Sequence, residues 1–382
     1  MTYTHGSNVE AGRITKAARD DSMMYVHGGN VALASRLYGL GQEAFLDFSA
    51  NVNPFGPSEA ALDAITANFG RICRYPEPTC SELRDTLGRY LNIGPHRIIA
   101  GNGANELIHL VVRAMKPGRV LIVAPTFSEY GRAVEIEGGT VQWFPVRREQ
   151  GFLPDMQELA AQLPEVDMLF ICNPNNPSGA LFYRDEFLAV ADRAGEHGVV
   201  VVVDEAFVDF TERPNQVTLR YEAVLRENLL VIGSLTKFFA LPGLRLGYAI
   251  GSGSLIKRLW DVRDPWSVNC LAQAAAIASI EDDAYIRKTR EWISVERPFL
   301  FRSLFRIRGI EAYSPSANYV LLDLRGTGFT AERLQKALGP KGILIRDCSN
   351  YPFLDEYYAR VAVRTREDNT ALLATLEDIL VG

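Results

Sequence analysis

The sequence predicts an α/β protein, with a mostly parallel sheet between helices in a large domain and a smaller α+β domain. Apolar runs that alternate with helical stretches such as 183–197 lie near residues 119–124, 168–172, 199–203, 229–233 and 247–250. Residues 199–203 are all valine, which is typical of a strand buried on both faces of a parallel sheet. Strand-helix alternation of this kind predicts parallel strands joined by right-handed crossovers.

The last third of the chain has a different order of elements. The pattern there predicts helix over 272–306, strand over 318–324, helix over 330–338 and strands near 343–346 and 359–363. We therefore expect four segments. They are a flexible extension at 1–22, an N-terminal segment at 23–55 that joins the small domain, a large domain at 56–265 and a small domain at 266–382.

Composition excludes several classes of protein. A net charge of −6 argues against a nucleic-acid surface. The five cysteines are an odd number without CxxC spacing, which indicates free thiols in a reducing compartment and no zinc or other metal site. The sequence shows no apolar run of membrane-spanning length and no apolar signal-peptide core, so we expect a cytoplasmic protein without membrane contacts.

The segment Ser234–Gly247, SLTKFFALPGLRLG, carries the most informative chemistry. Lys237 follows the hydroxyls of Ser234 and Thr236, and Arg245 comes eight residues later behind a Pro-Gly turn. An amine beside hydroxyls and a guanidinium suits an aldehyde cofactor that carries a phosphate. A surface lysine and a structural arginine are the alternative for this segment alone.

The valine strand ends in Asp204 and Glu205, at the edge where open α/β sheets bind ligands. A carboxylate there can keep a pyridine nitrogen protonated, which makes the ring an electron sink. The alternative is an acidic strand end that only caps the next turn.

Two further strands end in polar turns. Met168–Gly179, MLFICNPNNPSG, presents Asn173 and Asn176 after an apolar strand. Ile98–Ile108, IIAGNGANELI, is a strand, a glycine turn and a helix start, where the amides of Gly103, Ala104 and Asn105 could receive a phosphate.

From about residue 23 onward, these segments and their order resemble the fold-type I pyridoxal 5′-phosphate (PLP) enzymes of the aminotransferase superfamily. The resemblance implies that Lys237 is the Schiff-base lysine, that Asp204 pairs with the pyridinium nitrogen and that Asn176 bonds the ring 3-hydroxyl. It implies a phosphate cup that comprises Gly103, Ala104, Asn105, Ser234, Thr236 and Arg245.

The resemblance also assigns two aromatic residues and a homodimer. Phe127, in PTFSEY, falls where an aromatic ring stacks on the cofactor, and Tyr75, in RYP, falls where a tyrosine reaches the phosphate of the neighbouring subunit. The chain departs from the family pattern at Phe207, where a tyrosine often gives the 3-hydroxyl a second hydrogen bond. Asn176 would then act without it.

Four separated segments distinguish two subfamilies. Histidinol-phosphate aminotransferases have a glutamate where this chain has Val52, in FSANVNPFGPS at 48–58. The chain also has HGGN at 27–30, PWSVN at 265–269 and ILIRDCSNYPFLDEYYARVAVR at 343–364. Together these segments resemble the L-threonine-O-3-phosphate decarboxylases of cobalamin biosynthesis. That resemblance implies decarboxylation to (R)-1-amino-2-propanol O-2-phosphate.

The substrate residues follow from the same resemblance. Arg360 falls where the superfamily grips the α-carboxylate, together with Asn176, while Arg346, His27, the Gly28 amide and Asn51 fall around the substrate phosphate. A phosphate beside a carboxylate needs two cationic centres, and arginine forks suit both. In isolation, the two arginines could equally be solvated charges.

Two other functions remain open at this point. One is an aminotransferase acting on histidinol phosphate or a similar phosphorylated amine, since the PLP motifs are shared. The other is a cofactor-binding regulator without turnover, against which the intact Lys237, Asp204, Asn176 and Arg245 argue.

Overall fold

The computed structural model describes residues 27–380 of the chain. The expected extension at 1–22 lies outside the described residues, as do residues 23–26 of the expected N-terminal segment and the last two residues of the chain.

A seven-stranded sheet forms the centre of the larger part of the molecule. Its strands are β2 (Ile98–Gly101), β3 (Arg119–Ala124), β4 (Thr140–Pro145), β5 (Met168–Cys172), β6 (Val200–Asp204), β7 (Leu229–Ser234) and β8 (Gly247–Gly251). Their order across the sheet is β2-β8-β7-β6-β5-β3-β4. Strands β3 to β7 are parallel to one another, whereas β8 is antiparallel to both of its neighbours.

The orientation of β8 corrects one expectation, because the sequence predicted 247–250 as a further parallel strand. No helix lies between Ser234 and Gly247, which are paired residues of β7 and β8. A parallel return normally needs a crossover helix, so a chain that turns back without one enters the sheet in the antiparallel sense. The turn-rich connection between the two strands carries Lys237.

Helices cover both faces of this sheet. The helices of the described residues are α1 (Val31–Tyr38), α2 (Glu59–Asn68), α3 (Ser81–Leu91), α4 (Ala104–Met115), α5 (Glu129–Ile136), α6 (Met156–Gln162), α7 (Arg184–Glu196), α8 (Pro214–Val217), α9 (Arg220–Leu225), α10 (Gly253–Trp260), α11 (Cys270–Ile280), α12 (Asp283–Leu304), α13 (Ala331–Leu338) and α14 (Arg366–Leu380). The predicted helix at 272–306 is thus two helices, and the Asp282 side chain caps the second.

Alternate residues of each central strand enter two separate cores. Val201 and Val203 pack with α7 on one face, and Val202 packs with α4, α5 and α10 on the other. The unbroken apolar runs that predicted these strands follow from burial on both faces.

The smaller sheet is antiparallel and is built mainly from the end of the chain. It has the order β12 (Arg346–Asp347), β13 (Tyr358–Ala362), β10 (Tyr319–Asp323) and β9 (Glu311–Ala312). Near it, β1 (Leu46–Asp47) pairs in parallel with β11 (Ile343–Leu344), so an N-terminal strand contacts the C-terminal part of the chain. The division into segments at residues 55 and 265 stays a prediction.

The described residues include no helix with the length and hydrophobicity that a bilayer crossing requires. They also include no group of three or more His, Cys, Asp or Glu side chains that could hold a metal ion.

Candidate active site

A cavity of about 290 Å³ opens at the carboxyl ends of β5, β6 and β7. The topology of the sheet explains the location of the cavity, because the loops that follow parallel strands meet at the same edge of the sheet. Almost all of the predicted site residues line it: His27, Gly28, Asn51, Ala104, Asn105, Phe127, Asn176, Asp204, Ser234, Thr236, Lys237, Arg245, Arg346 and Arg360. Gly103 and Tyr75 do not.

Lys237 lies on the cavity wall in the connection that follows β7. Its carbonyl accepts a hydrogen bond of 3.1 Å from the Asn53 amide, which ties this connection to the segment after β1. Burial lowers the pKa of Lys237 to about 8, and the positive charges of Arg245 and Arg360 act in the same direction. A substantial fraction of this amine is therefore neutral near physiological pH, as a nucleophile must be.

Asp204 is the last residue of β6 and is only 5% exposed. The Tyr130 hydroxyl donates a 2.6 Å hydrogen bond to Oδ2, and the Ala206 amide donates a 2.9 Å bond to Oδ1. Burial raises the pKa of Asp204, and these two hydrogen bonds oppose the rise. A cationic nitrogen from a ligand would find a carboxylate whose position is already fixed.

The side of the cavity near α4 has features that suit a bound anion. Gly103, the N-cap of α4, has φ of 84°, and a Cβ at this position would lie 2.7 Å from Nη2 of Arg245. A glycine cap also has no side chain to occupy the first amides of the helix. The Ser234 and Thr236 hydroxyls lie 2.8 Å apart nearby, and the buried Oδ1 of Asn105 has no hydrogen-bond partner.

Two buried arginines also line the cavity. The Arg360 guanidinium donates to Oδ1 of Asn176 and, over 2.9 Å, to the carbonyl of Ser49, while its buried Nε has no partner. Arg346 donates a 2.7 Å hydrogen bond to Oδ1 of Asn350. Asn51 also lines the cavity, and its buried Oδ1 has no hydrogen-bond partner. Its amide group is therefore available to a ligand.

Tyr75 lies outside the cavity of its own chain. It is 81% exposed, and its ring centroid lies 4.9 Å from that of Trp266, which belongs to the PWSVN segment. The predicted contact with a neighbouring subunit stays a prediction.

Several residues that border the site were not predicted. Tyr130 lines the cavity and belongs, like Glu129, to the PTFSEY segment, in which only Phe127 was predicted. Tyr351 also lines the cavity, and its hydroxyl lies 3.4 Å from Oδ1 of Asn176. Glu129 lies 3.1 Å from the ring of His27. Tyr130 lies three residues after Phe127, a spacing that brings both residues to one side of a helix start.

The chain is similar in sequence to known proteins. Residues 43–376 match the family model Aminotransferase class I and II. The chain is 38% identical to the threonine-phosphate decarboxylase of Salmonella typhimurium over 359 residues, which cover 93% of this chain and 97% of that protein.

Two solved structures have the same fold. The histidinol-phosphate aminotransferase from Clostridium acetobutylicum superposes with a TM-score of 0.82 at 31% identity, covering 87% of this chain and 98% of that one. The L-threonine-O-3-phosphate decarboxylase from Porphyromonas gingivalis superposes with a TM-score of 0.77 at 29% identity, covering 88% and 99%. These likenesses confirm the fold class predicted from the sequence.

Proposed function

Because the chain belongs to the aminotransferase class I and II family, we propose that it is a PLP-dependent decarboxylase of L-threonine O-3-phosphate. The products would be carbon dioxide and (R)-1-amino-2-propanol O-2-phosphate, a precursor for cobalamin biosynthesis. The observation that carries this proposal is a single cavity lined by Lys237, Asp204 and the two buried arginines Arg346 and Arg360. The decarboxylases among its relatives support the substrate.

Family membership confirms PLP as the cofactor, and the residues present fit it. The close approach of Gly103 to Arg245 and the hydroxyls of Ser234 and Thr236 suit a phosphate, and the Asn105 amide at the start of α4 would add a donor. Ala104 and Arg245 would complete this cup. Asp204 would face the pyridine nitrogen, Phe127 would contact the ring and Asn176 would bond its 3-hydroxyl.

When bound, PLP supplies an electron sink for the bond that breaks at Cα of the substrate. Asp204 would hold a proton at the pyridine nitrogen, with its own position fixed by Tyr130 and Ala206. Nζ of Lys237 would hold the cofactor through its aldehyde. The same nitrogen would then deliver the proton that Cα gains when carbon dioxide leaves.

The choice of bond depends on how the substrate is held at its two ends. Arg360 and Asn176 would bind the α-carboxylate, and Arg346, His27, Asn51 and the Gly28 amide would bind the phosphate. Two anchored ends restrict rotation about the bonds of Cα, and such orientation contributes directly to rate. A transaminase must present the Cα–H bond instead.

The alternative function is an aminotransferase acting on histidinol phosphate or a similar amine. The solved histidinol-phosphate aminotransferase that superposes with a TM-score of 0.82 supports this alternative. Two assays on the holoenzyme separate the functions. Phosphothreonine should give carbon dioxide, whereas histidinol phosphate with 2-oxoglutarate should give no glutamate above background.

We further propose a cytoplasmic homodimer. The five cysteines are all unpaired, which suits a reducing compartment. Tyr75 and Trp266 are exposed and in ring contact, and Phe69 and Ile72 shortly before Tyr75 in the chain are also exposed. These exposed apolar side chains support contact with a second copy, which would receive Tyr75 at its phosphate cup. Light scattering of the purified protein measures this state directly.

A further inference from the structure

His27, which would bind the substrate phosphate, contacts Glu129, a residue that the proposed mechanism does not use. Nε2 of His27 lies 3.1 Å from Oε1 of Glu129, although 102 residues separate them in the chain. The Glu129 side chain is 8% exposed and that of His27 is 48% exposed. A buried carboxylate thus contacts an imidazole that borders the substrate cavity.

The Glu129 carboxylate is ionised in this environment. The hydrogen bond from His27 is the largest cause that lowers its pKa, and burial opposes this effect. His109 on α4 and Arg132 on α5 lie 3.7 Å from the two carboxylate oxygens and add to the lowering. Three basic side chains therefore surround one anion.

The hydrogen-bond donors of the imidazole ring determine what this pair can bind. Because an ionised carboxylate only accepts hydrogen bonds, Nε2 of His27 must carry a proton to bond Glu129. Nδ1 has no hydrogen-bond partner among residues 27–380. If Nδ1 is to donate to an anion as well, both nitrogens must be protonated, and the ring is then an imidazolium between two anions.

The backbone next to His27 is anchored independently of the ring. The Gly29 amide donates a 2.8 Å hydrogen bond to Oγ of Ser49, which in turn donates to Asp47. A Cβ at Gly28 would lie 2.2 Å from the Ser49 carbonyl oxygen, so only glycine permits this approach. The contact with Glu129 then selects the orientation of the ring.

The other charged groups around His27 have both signs. Arg346 of β12 shares the cavity with it. An adjoining cavity of about 460 Å³, also bordered by His27, adds Glu332 and Lys336 of α13 and Asp347. Among residues 27–380, Arg346 is the arginine that lines both cavities with His27, so an anion that binds beside His27 would also lie near Arg346.

We propose that Glu129 is a positioning residue, which holds Nε2 of His27 and thereby directs the Nδ1 edge of the ring to the phosphate of the substrate. This inference rests on the proposed function for the identity of the substrate. Glu129 itself would not touch the substrate. It would act by fixing the orientation of the ring through the contact with Nε2.

A double-mutant cycle tests this role. Glu129→Gln keeps a hydrogen-bond acceptor for Nε2 and removes the charge. We expect about a tenfold rise in KM for phosphothreonine, because one charge-assisted hydrogen bond weakens, with kcat within about twofold. His27→Ala should raise KM at least as much. In the His27→Ala background, Glu129→Gln should change KM by less than about twofold.

Calorimetry on the cofactor-free protein gives a second readout that is independent of turnover. The dissociation constant of phosphothreonine should rise in Glu129→Gln by the same factor as KM. His109→Gln is the matched control, because it removes another partner of Glu129 without contacting the ligand, and it should leave both constants within about twofold.

Two results would overturn the role of Glu129. One is a Glu129→Gln variant with unchanged KM and dissociation constant, and the other is an effect of full size in the His27→Ala background. If the parent protein binds phosphothreonine without releasing carbon dioxide, the proposed function fails, and the binding cycle still decides the role of Glu129.

Discussion

Arg346 and Arg360 are directly opposite each other in the antiparallel ladder between β12 and β13. Both are buried, with exposed fractions of 8% and 5%. Like charges at opposite positions of a ladder destabilise a sheet, and buried charges need partners. Hydrogen bonds to Asn350 and Ser49 compensate part of this cost. Both arginines line the cavity, where the proposed substrate would bring two anionic groups.

The first prediction separates these two arginines. Arg346→Ala should raise KM for phosphothreonine by an amount equivalent to about 2–5 kcal/mol, because a buried phosphate loses a charged partner. The visible absorbance of the bound cofactor should stay unchanged. Arg360→Ala should lower kcat as well, because the α-carboxylate is no longer oriented. Steady-state kinetics measures both effects.

The control for this pair is Arg333→Ala, which removes an exposed arginine of α13. It should behave like the parent protein. If both buried-arginine variants decarboxylate phosphothreonine like the parent, the substrate is bound elsewhere, even where the cofactor assignment holds.

The second prediction concerns the carboxylate at the end of β6. Asp204→Asn should still bind PLP but lose roughly a hundredfold or more in kcat, because preorganised electrostatic stabilisation is lost. Tyr130→Phe removes one of the two hydrogen bonds to this carboxylate and should cost about threefold to tenfold. Single-turnover rates measure the chemical step. A near-normal rate in Asp204→Asn would make the carboxylate structural.

The third prediction uses the lowered pKa of Lys237. Attachment of PLP to the cofactor-free protein requires the neutral amine, so its rate should rise tenfold per pH unit and level off above about pH 8. Arg360→Ala should move this midpoint upward, because a positive neighbour is removed. Stopped-flow absorbance follows attachment, and borohydride should fix the label on Lys237. A rate that still rises between pH 9 and 10, or a label elsewhere, would refute this role.

The fourth prediction concerns the buried neighbour of Asp204. Burial raises the pKa of Glu205 to about 7, although the Leu219 amide and the Thr218 hydroxyl donate 2.6 Å hydrogen bonds to it. The folded state therefore binds a proton that the unfolded chain releases near pH 4.5, and stability should fall as pH rises from 4.5 to 7. The full effect is roughly 3 kcal/mol.

Glu205→Gln should flatten this part of the pH dependence, because the amide does not titrate. Urea midpoints between pH 5 and pH 8 measure the slope for both proteins. Parallel slopes for Glu205→Gln and its parent would show that Glu205 does not titrate in this range.

The elements with a simple burial pattern were predictable from the sequence. The valine strand before Asp204 is buried on both faces, and its apolar run reports this directly. Strand β4 was not predicted, because Thr140–Pro145 lies at the sheet edge and its residues are mostly partly exposed. The direction of β8 depends on the absence of a crossover helix between β7 and β8. The residue pattern within the strand contains no information about that connection.

In the candidate site, too, some residues could be predicted from the sequence and others could not. Residues in ordered motifs, such as Lys237 and Asp204, could be found because their spacing along the chain is local. Tyr130 and Glu129 act on residues 74 and 102 positions away. Such contacts are created by the packing of α5 against the sheet and against the segment at His27, and a single sequence has no periodic signal for them.

The most direct test of the central claim is a comparison of kcat/KM for two reactions of the same holoenzyme. One reaction is carbon dioxide release from carboxyl-labelled phosphothreonine, and the other is glutamate formation from histidinol phosphate and 2-oxoglutarate. We predict stoichiometric carbon dioxide and aminopropanol phosphate from the first reaction, at a kcat/KM at least about a hundredfold above that of the second. Glutamate formation at the higher kcat/KM, with no carbon dioxide from phosphothreonine, would contradict the account.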